Sequence, residues 1–259
     1  MTVVTTPTVA LRRVEHHMGT SISVVAHGCS AQALDGFFAR VAAFEQILSR
    51  HRPGTELSRV ARDELSIDDA SAPVREVLTH CKRLRAVTEG CFDHEPRARS
   101  GDPADPVLDT DGLAKGWIIR QAALGLMVDG VMSFAVSAGG DVVVGAPPPG
   151  RDGWRVGVRH PGAFRSVVAT LEVQRLAVAT SGTYERGEHI RSCRGAALSS
   201  VTVAGPDLDV ADAMATAVHA SGEPDPPWWR TAGEGYGLLT VSTGGRLRWT
   251  AGMEDLLVR

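Results

Sequence analysis

The sequence predicts an α+β fold, with helices concentrated in the first half of the chain and antiparallel strands in the second half. Apolar residues recur at helical spacing after Ser30, after Pro73 and after residues 108–116. Short apolar runs of strand length follow from residue 131 onward, and the last two flank a turn signal at Gly244-Gly245. At 259 residues, the chain can form one large domain or two small lobes.

The predicted helices have recognisable start and stop signals. Ser30 is the expected N-cap of the first helix, and Pro73 is the expected first residue of the second, which Gly90 closes. Gly130 is expected to close the third helix. The apolar positions that keep the helical period are Leu34, Phe37, Phe38, Val41 and Leu48 in the first helix, and Val74, Val77, Leu78, Cys81 and Leu84 in the second.

The other elements are predicted from short apolar runs bounded by glycine, proline and polar residues. Residues 92–106 are rich in Pro, Asp and Arg and have no periodicity, so we expect a loop that covers a site. A short helix is expected at 210–221. Strands are expected at 19–26, 131–137, 141–145, 154–159, 166–173, 176–180, 198–204, 237–242 and 246–250.

Composition excludes several classes of protein. A net charge of −3 and an aromatic content of 5% argue against a general nucleic-acid binder. No apolar run approaches the roughly 18 residues of a membrane helix, and no signal peptide or lipid-anchoring cysteine is recognisable, so we expect a cytoplasmic protein without a membrane anchor. Because they form no C-x-x-C pair, we expect reduced thiols at the four cysteines, Cys29, Cys81, Cys91 and Cys193.

The stretch that organises the chain is Leu108-Asp109-Thr110-Asp111-Gly112-Leu113-Ala114-Lys115-Gly116. Its carboxylates, its lysine and the N–H groups of a helix start suit a phosphate bound with a divalent cation, although an ordinary capped helix start is the alternative. In the predicted helix 210–221, Asp212 and Thr216 lie one turn apart on the same side. With a backbone carbonyl they would make a reasonable protein share of a Mg²⁺ site, but an early-helix acid without a ligand is the alternative.

Two further stretches carry candidate residues. Residues 179–190 leave a strand through hydroxyls and glycines and then present Tyr184, Arg186 and His189. His189 suits a general base or a phosphate ligand, and a polar hairpin loop is the alternative. Gly139-Gly140-Asp141 allows a close backbone approach and places an acid there, but ordinary turns use the same residues. The chain lacks the glycine-rich motifs of Rossmann and P-loop proteins and the nucleophile elbow of α/β-hydrolases.

Taken in order, these motifs resemble those of the ApbE family, the FAD:protein FMN transferases. The resemblance covers the chain from about Met18 to Gly222. The segments that carry it are Met18-Gly19-Thr20, Leu48-Ser49, Thr55-Glu56-Leu57-Ser58-Arg59, Gly90-Cys91-Phe92-Asp93, Asp109 to Gly116, Gly139-Gly140-Asp141, Ala179-Thr180-Ser181-Gly182 and Ala211 to Ala217. The resemblance implies a single domain over residues 1–259, with two T-fold-like lobes and an FAD site between them.

The resemblance also implies an activity. FAD would be cleaved at its pyrophosphate with the help of Mg²⁺, FMN would pass through a phosphoester to a Ser or Thr of an acceptor flavoprotein, and AMP would leave. Carried over by position, the Mg²⁺ ligands would be Asp212, Thr216 and the backbone carbonyl of Gly112. The catalytic residues would be Lys115 on the phosphate oxygens and His189 or Asp141 as the base. The residues that bind FAD would be Met18, His51, Cys91, Phe92, Asp93, Asp109, Lys115 and Thr180.

The sequence departs from the family pattern at three positions. After His189 the family usually has an Asp-Pro pair, whereas this chain has 191–195, Arg-Ser-Cys-Arg-Gly, without the acid. His51 stands where Tyr or Phe is common, and Ala61 stands where Asn is frequent. Three functions therefore stay open: an FMN transferase, an FAD pyrophosphatase in which water replaces the acceptor hydroxyl, and a non-catalytic flavin-binding protein.

Overall fold

The computed structural model describes residues 10–95, 97–99, 102–182 and 197–258. The helices are α1 (Ala31–Leu48), α2 (Glu56–Ala61), α3 (Ala72–Val87), α4 (Asp111–Val128), α5 (Leu208–Ser221), α6 (Trp229–Ala232) and α7 (Ala251–Glu254). The strands are β1 (Ala10–His17), β2 (Thr20–His27), β3 (Arg97–Arg99), β4 (Asp102–Val107), β5 (Ser133–Ala138), β6 (Asp141–Val144), β7 (Trp154–His160), β8 (Ala163–Val173), β9 (Ala177–Gly182), β10 (Leu198–Gly205), β11 (Gly237–Ser242) and β12 (Leu247–Trp249).

An antiparallel sheet with the strand order β1-β2-β5-β6-β9-β10-β11-β12 forms the centre of the described residues. Helices cover one face, and the β7–β8 hairpin covers the other. The alternation along β9 shows both faces: Ala177 and Ala179 are buried under the helices, whereas Val178 belongs to the smaller core with β7 and β8. This arrangement of helices on an antiparallel sheet confirms the predicted α+β class.

Helix α4 is apolar on nearly all sides, which allows it to pack between α1 and α5. Gly116 allows the contact with α5, since a Cβ atom at this position would lie 2.8 Å from the Cα of Asp209. The two helices thus approach at backbone distance near the start of each. This close approach brings α5 against the N-terminal half of α4, where the organising stretch lies.

Three of the helix boundary signals are confirmed, whereas Pro73 is the second residue of α3 and not the first. Ser30 caps α1 by accepting a hydrogen bond from the N–H of Ala33, and Gly90 and Gly130 follow α3 and α4 with positive φ angles of 80° and 83°. The apolar positions predicted for the first two helices are all buried. Among the described residues, no helix has the length and apolarity needed to span a membrane.

Two predictions are wrong. Residues 92–106 are not entirely a loop, because β3 and β4 pair there through backbone hydrogen bonds that require no apolar pattern. Cys91 is disulfide-bonded, whereas Cys29 and Cys81 are free thiols. Disulfide formation depends on how close two cysteines lie in the fold, which their spacing along the chain does not reveal. The edge strand β1 and the short helices α2, α6 and α7 were not predicted, since each has too few apolar residues to show a period.

Candidate functional site

Two tight turns lie side by side at one end of the sheet. Met18 and Gly19 join β1 to β2 with φ angles of 52° and 70°, and Gly139 and Gly140 join β5 to β6 with φ angles of 57° and 92°. A Cβ atom at Gly139 would lie 2.9 Å from Oγ1 of Thr20, so the two turns are in contact. Met18 adopts a conformation that is costly for a residue with a side chain, and such strain is concentrated at functional sites.

The second of these turns places Asp141 at the first position of β6. Its carboxylate is 1% exposed and accepts a hydrogen bond from the backbone N–H of Thr180, at 3.2 Å. The same carboxylate forms an ion pair with the ammonium group of Lys115 on α4. Lys115 and Thr180, which come from separate motifs, therefore both contact the carboxylate of Asp141.

Helix α5 adds a second carboxylate to this group. Oδ2 of Asp212 lies 3.4 Å from Nζ of Lys115, and the carboxylate is 7% exposed. One turn later, Oγ1 of Thr216 lies 3.3 Å from Oγ of Ser181 on β9. Two largely buried carboxylates thus share one ammonium group, and one of them lies one helical turn from the hydroxyl of Thr216.

The arrangement fits a small divalent cation. Gly112 lies against α5 so closely that a Cβ atom would be 3.0 Å from Oγ1 of Thr216, and only glycine leaves this space open. The donors available are a carboxylate, a hydroxyl and backbone carbonyls, which are the oxygen ligands that Mg²⁺ prefers. In the described residues, no group of three or more His, Cys, Asp or Glu side chains could hold a metal. A cation here would therefore complete its shell with water and substrate oxygens.

A cavity of about 400 Å³ opens beside this cluster, a volume within the usual range for small-molecule sites. Lys115 lines the cavity and also belongs to the charged cluster, so the two are continuous. The other lining residues are apolar (Met18, Leu48, Ala114, Ile118), charged or ionisable (Glu45, Arg50, His51, Arg52, Asp111), or small (Gly19, Ser49). A lining that contains both apolar and charged side chains suits a ligand with an apolar part and a charged part.

The remaining predicted residues lie around this centre rather than in the cavity wall. Phe92 is 2% exposed and supports the Gly112 turn, with Cε2 3.4 Å from the position that a Cβ atom of Gly112 would take. Asp93 pairs with Arg85 at 3.0 Å, and Cys91 is buried. The predicted base His189 lies outside the described residues.

Sequence reasoning missed the two arginines that follow α1 on either side of the predicted His51. Arg50 and Arg52 line the cavity, and Glu45 lies 3.5 Å from both Arg52 and His17. The only sequence signal was the basic run Arg50-His51-Arg52 between a helix and a Pro-Gly turn. A solvated helix end has the same composition, so the run carries little information without the fold.

Asp111 is the electrostatic partner of this basic run. Arg50 Nη2 lies 2.7 Å and His51 Nε2 lies 3.5 Å from its Oδ2 atom. Burial alone would raise the pKa of Asp111, but the hydrogen bonds from His51 and Arg50 outweigh it and lower that pKa to about 2. Asp111 is therefore a carboxylate at neutral pH, and the loop after α1 is tied to the start of α4 by charge.

Comparison with known proteins identifies the family to which these motifs belong. The profile of the ApbE family matches residues 18–98 and 99–235. A flavin transferase ApbE from Vibrio cholerae has a similar structure, with a TM-score of 0.81 at 20% identity over 97% of this chain and 100% of that one. A Pseudomonas stutzeri flavinyl transferase ApbE gives 0.78 at 20% identity over 96% and 97%, and an ApbE protein from Thermotoga maritima gives 0.76 at 19% over 96% and 100%. No curated protein sequence matches the chain significantly.

Proposed function

Because the chain belongs to the ApbE family, we propose that it is a Mg²⁺-dependent FAD:protein FMN transferase. Membership of this family makes the chain an enzyme of the flavin transferase kind. The finer proposal is that FAD is cleaved, that FMN is attached through a phosphoester to a Ser or Thr of an acceptor flavoprotein, and that AMP is released.

The observation that carries this proposal is the position of Lys115, between the carboxylates of Asp141 and Asp212 and at the border of the cavity. A flavin in the cavity, against Met18 and His51, would place the attached phosphates towards this ammonium group. Lys115 would then bind phosphate oxygens and stabilise the charge that develops on them. The apolar part of the cavity wall would exclude water from the flavin side.

The residues around Lys115 supply the rest of the chemistry in this proposal. When bound to Asp212, Thr216 and the carbonyl of Gly112, Mg²⁺ would neutralise negative charge on the leaving AMP and polarise the phosphorus atom that the acceptor hydroxyl attacks. The proton of the acceptor hydroxyl would pass to a base, for which the candidates are Asp141 and His189. Thr180 would orient Asp141, since its N–H group donates to Oδ1 of that carboxylate.

We also propose that residues 1–259 form one domain with the FAD site between two lobes. In support, the helical core and the β7–β8 core lie on opposite faces of one sheet and share its strands. The cavity is bounded by the β1–β2 turn, the loop after α1 and the start of α4. The cytoplasmic location and the identity of the flavoprotein partner stay predictions.

The test uses a flavoprotein that carries a Ser/Thr acceptor segment, incubated with this protein, FAD and Mg²⁺. Intact-mass spectrometry follows the acceptor while chromatography follows AMP, and an EDTA sample is the control. A mass gain equal to FMN less one water that accompanies AMP release supports the transferase. AMP without modification of the acceptor would identify a pyrophosphatase, and intact bound FAD without AMP would identify a flavin-binding protein.

A further inference from the structure

The start of α4 is not held by its own N-cap residue. Thr110 occupies the N-cap position with φ −95° and ψ 0°, outside the extended conformation of most N-caps, and its side chain makes no capping hydrogen bond. Its Oγ1 atom is buried and has no hydrogen-bond partner among the residues that the structure describes. The side chain of Thr110 therefore does not fix the direction in which the turn enters the helix.

Arg50 is placed to do this. Its Nη1 atom lies 3.4 Å from Oδ1 of Asp109, and its Nη2 atom lies 2.7 Å from Oδ2 of Asp111. The two acids flank Thr110, so one guanidinium group spans the turn. Since this group is planar and rigid, contacts through two of its nitrogens fix the carboxylates relative to each other in a way that a lysine could not.

The environment makes these contacts stronger than ordinary surface ion pairs. The side chains of Arg50, Asp109 and Asp111 are 24%, 32% and 34% exposed, so they are partly shielded from solvent. By contrast, Arg52 in the same loop is 49% exposed and its pairing with Glu45 is at 3.5 Å. The two arginines line the same cavity, but only Arg50 reaches the α4 turn.

We propose that Arg50 is a positioning residue that holds the turn 109–112 and so keeps Gly112 and the ammonium group of Lys115 in place against α5. Because Arg50 also forms part of the cavity wall, it links the ligand cavity to the start of α4. The consequence for catalysis rests on the proposed function, whereas the support of the turn is a property of the fold.

Hydrogen exchange of the full chain tests the support of the turn directly. The N–H groups of Leu113 and Ala114 donate to the carbonyl of Thr110 at 3.0 and 2.8 Å, so their exchange reports the first turn of α4. In Arg50→Gln we expect exchange in the peptide 108–116 to be about tenfold faster than in the wild type, as the loss of a charge-assisted contact predicts. In the matched control Arg52→Gln we expect the wild-type rate. Equal rates in Arg50→Gln and the wild type would overturn the proposal.

Arg50→Lys covers the case in which Arg50→Gln does not fold. This variant keeps the positive charge but loses the forked donors of the guanidinium group, so we expect an exchange rate in the same peptide between those of the wild type and Arg50→Gln. An exchange rate equal to that of the wild type would show that charge alone suffices and would contradict positioning by the guanidinium group.

Mn²⁺ binding, measured by electron paramagnetic resonance without FAD, separates this proposal from the proposed function. We expect Mn²⁺ to bind about tenfold more weakly to Arg50→Gln than to Arg52→Gln. If the wild type binds no Mn²⁺ but Arg50→Gln still exchanges faster, the cation site fails while the support of the turn stands. If Mn²⁺ binds equally to both variants, Arg50 does not position the cation site.

Discussion

Oδ2 of Asp212 on α5 lies 3.4 Å from Nζ of Lys115 on α4, and this ion pair joins the two helices at the candidate site. The same lysine pairs with Asp141 at the start of β6. One ammonium group therefore connects three elements that lie far apart in the sequence. All three side chains are largely buried, so the loss of any one charge should affect both the stability and the chemistry of the site.

The carboxylate of Asp212 should be required for the reaction. In Asp212→Asn the shape of the side chain is kept but its charge is lost, so Mg²⁺-dependent AMP release should fall by about a hundredfold or more. AMP would be measured by chromatography over a Mg²⁺ titration, with the exposed Asp255→Asn as the control. Unchanged AMP release in Asp212→Asn would show that this residue is not a cation ligand.

Removing Lys115 should destabilise the fold through Asp141. In Lys115→Met, a carboxylate that is 1% exposed loses its ammonium partner, which should lower the free energy of unfolding by about 3 kcal/mol. Adding Asp141→Asn removes the buried negative charge that has lost its ammonium partner, so the double variant should be more stable than Lys115→Met alone. Urea unfolding of the wild type, both single variants and the double variant measures this coupling. Additive effects would mean that the two side chains do not interact.

The small size of residue 112 should matter for the cation. A Cβ atom in Gly112→Ala would lie 3.0 Å from Oγ1 of Thr216 and would displace this hydroxyl, so Mn²⁺ affinity should fall by about tenfold. Gly54→Ala is the matched control, because a Cβ atom there meets nothing within 4 Å. Electron paramagnetic resonance gives both affinities, and equal values would remove the hydroxyl of Thr216 from the ligand set.

Gly116 should be intolerant of even one added methyl group. In Gly116→Ala the new Cβ atom would lie 2.8 Å from the Cα of Asp209, so α4 and α5 would have to separate, at a cost of about 2 kcal/mol in unfolding free energy. Gly36→Ala in α1 should be neutral or slightly stabilising, because the added Cβ atom would meet only the flexible end of Arg40 at 3.3 Å and Oδ2 of Asp129 at 3.7 Å, and alanine favours the helix. Thermal or urea unfolding distinguishes the two; similar effects would contradict the close approach of the helices.

His94 should make the fold sensitive to acid. Burial lowers the pKa of this histidine, which is 4% exposed, and outweighs the nearby carboxylates of Glu95 and Asp93, which raise it. As the pH falls below about 6.5, the unfolded chain therefore takes up a proton that the folded protein resists, and the free energy of unfolding decreases. The decrease is complete once the pH is below the lowered pKa of the folded state.

Urea unfolding between pH 7.5 and about pH 5 measures this effect in the wild type and in His94→Gln, which should show a smaller loss of stability on acidification. His16→Gln, at an exposed position of β1, is the control for loss of a histidine. The same pH dependence in His94→Gln and the wild type would show that His94 does not contribute.

The elements that could be predicted are those whose signal is local. The apolar faces of α1 and α3 were correct residue by residue, because a helix that packs on one side repeats that requirement every turn. The strands β9 and β10 were recognised as short apolar runs of strand length. By contrast, β1 lies at the edge of the sheet with exposed residues such as Arg12 and His16, and it has too weak an apolar pattern to be recognised.

The sequence by itself determined the family and the α+β class and predicted the candidate residues named above. It could do so because each motif is contiguous and its residue types indicate the chemistry they can support. Only the tertiary structure decided that Lys115 pairs with both Asp141 and Asp212, and that Arg50 spans Asp109 and Asp111. These relationships depend on where α4, α5 and the turn before β6 meet. The relative positions of these elements are set by backbone contacts such as Gly116 against Asp209 and by sheet pairing between distant strands. Such contacts produce no periodic pattern in the sequence.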